Sequence, residues 1–280
     1  MFNGIICINK PKNITSFSVC NKLSKMLHTK VGHCGTLDPN ATGLLVCIIN
    51  KTKILPYINT NIKTYIAECK LFTKTDTGDI WGNVIENQSF KKINIEQIQH
   101  VLNKLLTVTI LPIPLVSAKK VNGKKLLEYY HKNIEVEKQY QSVTIYKINL
   151  ISFDNDIIKF EITVSAGTYI RSICEWIGEQ LNTCATMASL IRTEVGDFKL
   201  SDAIELNIDI NNINDKILKF ENYLIDLEKI EITNINDIYH GKSLILNCKN
   251  DRVFIMYKRQ VVAVYTRSND KLFVMERGLF

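Results

Sequence analysis

No apolar stretch in this chain approaches the ~20 residues that a membrane-spanning helix needs. The N-terminal segment MFNGIICINKPKN has too short an apolar run for a secretory signal and lacks the Arg-rich amphipathic character of a transit peptide. A soluble, cytoplasmic protein is the expectation. There is no C-x-x-C pair and no Cys/His cluster of zinc spacing among the eight dispersed cysteines, so neither a disulfide framework nor a metal is expected. Most of the cysteines lie inside apolar runs, as Cys7 does in GIICIN and Cys47 in LLVCII, where the residue behaves as a small buried hydrophobe. Internal repeats and low-complexity segments are missing as well. Arginine is scarce, at 6 residues against 29 lysines, and only Arg171 and Arg192 precede residue 252. Lysine does not replace arginine where a planar, permanently charged fork is required, which singles out those two positions.

What the chain does have is length, apolar content and positive charge. Its 280 residues, 46% of them hydrophobic, can bury a core for one large domain and a small one. The net charge of +7 is unevenly spread: +8 over 1–200, −5 over 201–228 and +4 over 229–280. Two basic blocks flanking an acidic connector favour a polyanionic partner, though only weakly.

GIICIN reads as a buried strand, and TSFSVCNKLSKMLH as a helix capped at Thr15 or Ser16 with an apolar face at Phe17, Cys20, Leu23 and Leu27. IKTYIAECKLF alternates as a strand and ends in the turn TKTDTGDIWG; residues 93–106 read as a helix capped at Asn94, and 123–132 as a second, basic helix. Two strands joined at Asp154-Asn155-Asp156 form a hairpin, and a helix begins after Gly167. Strands interleaved with short helices and long hairpins imply an α+β fold with a mixed, largely antiparallel sheet and flanking helices. From Lys229 onward short alternating segments predict a small β-rich domain. The expected division is a catalytic domain over 1–228, ending in the acidic connector 201–228, and a β-rich domain over 229–280.

Between Gly32 and Leu45 runs GHCGTLDPNATGLL, where one carboxylate, Asp38, stands among glycines and directly before Pro39. Glycine permits positive φ and proline fixes the backbone after the acid, so the loop can aim one side chain; a bland turn of the same composition is equally common. The run matches every fixed position of G-H-x-G-T-L-D-P-x-A-T-G-x-L and thereby closely resembles the signature of the bacterial tRNA pseudouridine-55 synthase (TruB) family. Matches to the family continue from about residue 4 to residue 200. The resemblance implies the pseudouridine synthase fold with a C-terminal PUA-like RNA-binding domain. It implies isomerisation of uridine 55 in the tRNA T loop, without metal or organic cofactor, by a monomer that needs no obligate protein partner.

The same resemblance assigns residues. Asp38 is the nucleophile or base, and Arg171, in GTYIRSI, is the cation set against it. Tyr65, in KTYIAECKL, stacks on the target base and handles the C5 proton. His33 inserts into the RNA to hold the T loop open once the base is extruded, an extrusion that chemistry on a base demands. Tyr169 and Leu190 contact the flipped nucleotide, and Gly35 and Thr36 belong to the same substrate-binding loop. Lys10, in a Lys-Pro motif, supports the loop or a phosphate. Arg192 binds phosphate or pairs with Glu175 or Glu179. TDTGD (75–79) is structural or touches a base, and SAKKVNGKKLLEYYHK, basic with interleaved tyrosines, suits an RNA backbone.

Overall fold

The computed structural model describes residues 2–207 and 213–280, so part of the expected acidic connector lies outside the described residues. In chain order the elements of the first half are β1 (Gly4–Lys10), α1 (Ser16–Leu27), β2 (Val31–His33), β3 (Thr42–Ile49), β4 (Ile62–Leu71), β5 (Thr73–Thr75), β6 (Val84–Asn87), α2 (Ile95–Leu105), β7 (Ile110–Pro112), β8 (Lys120–Val121), β9 (Lys124–Lys125) and α3 (Leu126–His131). There follow β10 (Tyr140–Ser142), β11 (Ile145–Asp154), β12 (Ile157–Ser165), α4 (Ile170–Gln180), β13 (Ala185–Val195), β14 (Phe198–Lys199) and β15 (Ile204–Glu205). The last part holds β16 (Glu228–Glu231), α5 (Asn236–Tyr239), β17 (Leu244–Ile245), β18 (Arg252–Tyr257), β19 (Gln260–Asn269) and β20 (Leu272–Gly278). Among the described residues no helix is long and apolar enough to cross a membrane. The chain divides into two compact units: Met1–Pro39, Leu44–Thr60 and Asp197–Phe280 form the first, Asn40–Gly43 and Asn61–Gly196 the second.

In the first unit β1 lies between β3 and β15, parallel to β15 with Ile8 opposite Ile204, and β2 runs antiparallel to β3 with His33 opposite Cys47. Helix α1 starts where Thr15 accepts a hydrogen bond from the Ser18 N–H and ends at His28 in the left-handed region. Its buried stripe is Ser16, Val19, Cys20, Leu23 and Leu27, packed on Ile6, Ile8, Leu45, Cys47 and Ile49. Phe17, expected on that stripe, is 73% exposed. It stands about 100° round the helix from Ser16, and Val19 fills the place its ring was expected to take. Seven of the eight cysteines are buried, as hydrophobes in core runs should be.

The C-terminal five-stranded sheet, in the order β16-β18-β19-β20-β17, belongs to the same unit and carries a core of its own around Ile238, Val253, Ile255, Tyr265 and Phe273. Tyr57 binds it to the preceding segment: its hydroxyl donates to Glu276 (2.8 Å), its ring meets Phe254 edge-on, and the Arg252 guanidinium lies 5.2 Å from its centroid.

The second unit is built on the order β11-β12-β4-β13, all antiparallel. The register of β12 on β4 runs unbroken from Ile157 opposite Lys70 to Ser165 opposite Ile62. Period-2 alternation buries Tyr65, Ala67, Cys69 and Leu71 together with Ile158, Phe160, Ile162 and Val164. On the opposite face Lys159 pairs with Glu68 at 3.1 Å and Lys147 with Glu161 at 3.3 Å. Asn155 and Asp156 turn the β11–β12 hairpin with φ of 44° and 65°, the two positive values that a two-residue turn of this hand needs.

Helix α2 carries a full capping box at Asn94 and Gln97. The single basic helix expected over 123–132 is instead a tight hairpin, β8 and β9 around Asn122-Gly123, followed by the short α3. Asn-Gly is a strong hairpin signal, and here it takes Lys124 and Lys125 out of the expected helix, which starts at Leu126 instead. Replacing Asn94 by Ala is expected to lower stability by about 1 kcal/mol, read from the urea midpoint at unchanged slope.

Candidate active site

The loop that carries Asp38 leaves β2 and returns into β3, and its ends are set by the Cys34 N–H donating to the Val46 carbonyl at 2.9 Å. Gly35 has φ of 104°, a value that L side chains rarely adopt, so the turn directly before the acid depends on glycine. The residues on either side of Asp38 are held separately. Leu37 exchanges two hydrogen bonds with Ser16: the hydroxyl donates to the Leu37 carbonyl at 3.0 Å and accepts from the Leu37 N–H at 2.9 Å. Pro39 is held by Lys10. That ammonium group has no exposed surface and donates to the carbonyls of Pro11 (2.9 Å), Ile14 (2.8 Å) and Pro39 (3.0 Å). Lys10 is therefore a strut inside the fold, with no face turned to a phosphate in solvent. Asp38 itself is half-buried between these two anchors, His33 is half-buried and Thr36 is exposed.

The second unit holds the other group of expected site residues. Tyr65 on β4 is 6% exposed and stands opposite Arg192 of β13, while Leu190, 8% exposed, stands opposite Ala67. Tyr65 and Ala67 share one face of the sheet, and so do Leu190 and Arg192, so the tyrosine, the leucine and the arginine lie together. Thr42 and Gly43 run parallel to Ile191 and Arg192. A Cβ on Gly43 would stand 2.4 Å from the Arg192 carbonyl oxygen, and φ there is 99°. This approach explains a second invariant-looking glycine of the signature: the backbones meet where a side chain would separate them.

Arg171 is 3% exposed in the first turn of α4 and donates from Nη1 to the Thr77 carbonyl at 3.0 Å. Tyr169 occupies the N-cap of the same helix and is half-buried. The turn 75–79 is thus the frame for Arg171. The Thr75 hydroxyl donates to the Asp79 carbonyl (2.7 Å) and shares a hydrogen bond with Thr186, and the Met187 N–H donates to the Gly78 carbonyl (3.0 Å). Glu175, one turn after Arg171, packs beside Gly78; burial raises its carboxyl above the ordinary range, and Lys74 and Lys138 act in the opposite sense.

The sequence brought Lys10 and Asp38 to attention separately but offered no sign that Ser16 anchors Leu37, because a serine at the start of a helix reads only as a cap. The role of Thr77 left no signal either, since it is the backbone carbonyl that receives Arg171. Among the described residues no group of His, Cys, Asp or Glu could hold a metal ion. The first unit offers one carboxylate on a loop anchored at Leu37 and Pro39, and the second, taken by itself, an aromatic ring with an aliphatic side chain beside it and buried guanidinium groups.

Solved structures of similar fold include one titled "Crystal Structure of a Cbf5-Nop10-Gar1 Complex", with a TM-score of 0.72 and 23% identity over 99% of this chain and 85% of that one. Another, "Crystal structure of the archaeal box H/ACA sRNP Nop10-Cbf5 complex", gives 0.70 at 23% identity. At such identity the likeness speaks for the fold alone, and the fold is that of the pseudouridine synthases. Residues 23–170 match the family described as TruB family pseudouridylate synthase (N terminal domain). A protein of Mycoplasma mycoides named tRNA pseudouridine synthase B is 39% identical over 99% of this chain and 97% of its own length. One of the same name from Clostridium tetani is 40% identical over 82% of this chain and 81% of its own. The chain belongs to the TruB family of pseudouridylate synthases.

Two substitutions test the framework. Lys10→Met deprives three carbonyls of their charged donor and is expected to cost about 2 kcal/mol in chemical denaturation. Gly43→Ala forces the backbones of 43 and 192 apart and is expected to cost about 3 kcal/mol or more by the same measurement.

Proposed function

We propose that the protein isomerises uridine 55 in the T loop of tRNA to pseudouridine, with Asp38 as the nucleophile or base. The observation that carries this reading is the clamped carboxylate: Leu37 and Pro39 are fixed independently, so Asp38 is aimed by backbone on both sides. The names of the relatives and the intact signature support tRNA as the substrate. In the reaction the N1–C1′ glycosidic bond breaks, the base turns, a C5–C1′ bond forms, and the C5 proton is lost as N1 gains one. Atoms and electrons balance within the nucleoside, so the chemistry itself calls for no organic cofactor or metal.

In this reading Arg171 is the counter-cation of the reacting centre, and its burial suits a group that must act in a shielded site. Tyr65 stacks on the target base, Leu190 and Tyr169 line the nucleotide pocket, and His33 holds the T loop open, offsetting the few kcal/mol that unstacking costs. Gly35 and Thr36 contact the substrate within the loop, while Lys10 supports it. Residues 229–280 serve as a PUA-like RNA-binding domain following a catalytic domain over 1–228, and the enzyme acts as a cytoplasmic monomer without protein partners.

The test is to incubate tRNA transcripts with the purified protein and map pseudouridine. Wild type is expected to modify position 55 of bare tRNA, and Asp38→Asn to abolish product while tRNA binding largely survives. Turnover by Asp38→Asn sinks the assignment of the acid. A requirement for added guide RNA or protein partners overturns the stand-alone reading, and binding without turnover by wild type reduces the protein to an RNA binder. Binding should also weaken with salt at a log–log slope of about −0.7 to −0.9 per phosphate contact, measured by filter binding.

A further inference from the structure

Two segments left over from the chemistry, the turn 75–79 and the basic insert 117–132, are joined in the second unit by one side-chain contact. The Tyr130 hydroxyl on α3 donates to Asp76 Oδ2 at 2.9 Å. Asp76 is held in place without it, because it also accepts from the Asn83 N–H (2.9 Å) and from Asn83 Nδ2 (3.0 Å). The balance of these contacts favours the carboxylate: burial works against it, and the hydrogen bonds from Asn83 and Tyr130 outweigh that to leave its carboxyl below the ordinary range.

On the other side of the contact, α3 and the β8–β9 hairpin are tied together by hydrogen bonds. The Leu126 N–H donates to the Lys119 carbonyl, the Leu127 N–H to the Ser117 carbonyl, and the Tyr129 hydroxyl to the Val121 carbonyl at 3.1 Å. That hairpin sets Lys120 directly opposite Lys125, with Lys119 and Lys124 beside them, and all four are exposed. Like charges across a two-stranded ladder repel one another, so the hairpin is electrostatically loaded until a polyanion neutralises it.

From Asp76 the connection needs only one more residue. The neighbouring Thr77 carbonyl receives Arg171, and Gly78 packs against the Arg171 and Glu175 side chains, 3.4 Å and 3.1 Å from where a Cβ would stand. A cavity of about 290 Å³ lies between the turn and the insert, with Lys74–Thr77 on one wall, Leu126 and Val136 on another, and Ser172 and Glu175 of α4 below. Asp76 lines this cavity, and Tyr130 of the insert reaches that carboxylate as a polar clasp.

We propose that Tyr130 is a positioning residue, coupling the binding of an RNA phosphate backbone at the lysine hairpin to the placement of the Arg171 guanidinium through Asp76 and Thr77. The coupling rests on the functional reading of Arg171 given above. The clasp itself does not, and the two are tested separately on the full chain.

Trypsin reads the clasp directly. In Tyr130→Phe, with its melting temperature unchanged, cleavage after Lys119, Lys120, Lys124 and Lys125 is expected to be about tenfold faster than in wild type, the shift that loss of one hydrogen bond to a carboxylate produces. On tRNA the same variant is expected to lose kcat severalfold, whereas Lys120→Ala/Lys124→Ala raises KM and flattens the salt dependence. Asp76→Asn, which keeps an acceptor for the phenol, should retain more of the kcat than Asp76→Ala. Equal cleavage rates overturn the clasp. A Tyr130→Phe enzyme whose kcat matches wild type, with KM alone altered, overturns the coupling. A wild-type protein that makes no pseudouridine overturns the functional reading and the coupling together, and leaves the cleavage ratio as the measure of the clasp.

Discussion

Lys10 has no exposed surface, and its ammonium group donates to the carbonyls of Pro11, Ile14 and Pro39. An isolated ammonium in such a place would be prohibitive; three carbonyl dipoles make it tolerable and at the same time tie three points of the chain to the end of β1. Two of those points, Pro11 and Ile14, bracket the entry to α1, and the third follows Asp38. The start of α1 in turn supplies Ser16, which holds the residue before Asp38. The acid therefore takes its position from the junction of a strand end with a helix start. A loop suspended only from its own two ends would leave a half-buried carboxylate free to fluctuate, and effective positioning of a reacting group is worth many kcal/mol of barrier.

Arg171 is placed by different means. No side chain is needed to receive it, since the acceptor on the turn is the Thr77 carbonyl. The turn is fixed from β13, through Thr186 and Met187, and from α4, against which Gly78 packs with too little space for a larger residue. Backbone acceptors cannot titrate and carry no charge, so the guanidinium is oriented here without being neutralised by that contact.

Much of this was legible in the sequence, and the boundary follows physical lines. Elements with a strong period and a local cap were readable: β4 alternates from Tyr65 to Leu71, Asn94 and Gln97 form the capping box, and Asn155-Asp156 turns its hairpin. The basic helix expected at 123–132 is present only over Leu126–His131, because Asn122-Gly123 turns a hairpin that takes up its first residues. Phe17 failed because an aromatic one residue away from the true stripe still looks amphipathic in a short helix. Motif resemblance singled out Asp38, Tyr65 and Arg171 as candidates, whereas the contacts of Ser16, the Thr77 carbonyl and the Tyr130–Asp76 pair depend on pairings across 21, 94 and 54 residues that no local pattern encodes.

Both arginines of the first 251 residues are among the buried charges of the fold. Among the described residues the buried charged side chains are Lys10, Arg171 and Arg192, and no carboxylate is buried with them. Burying a cation costs several kcal/mol after relaxation unless hydrogen bonds and neighbouring charges offset it. Arginine suits the two positions in the second unit because its guanidinium keeps its charge when desolvated and spreads it over a plane, whereas lysine surrenders its proton more readily. Lysine is used at the one buried site where a cage of carbonyls fits a compact ammonium.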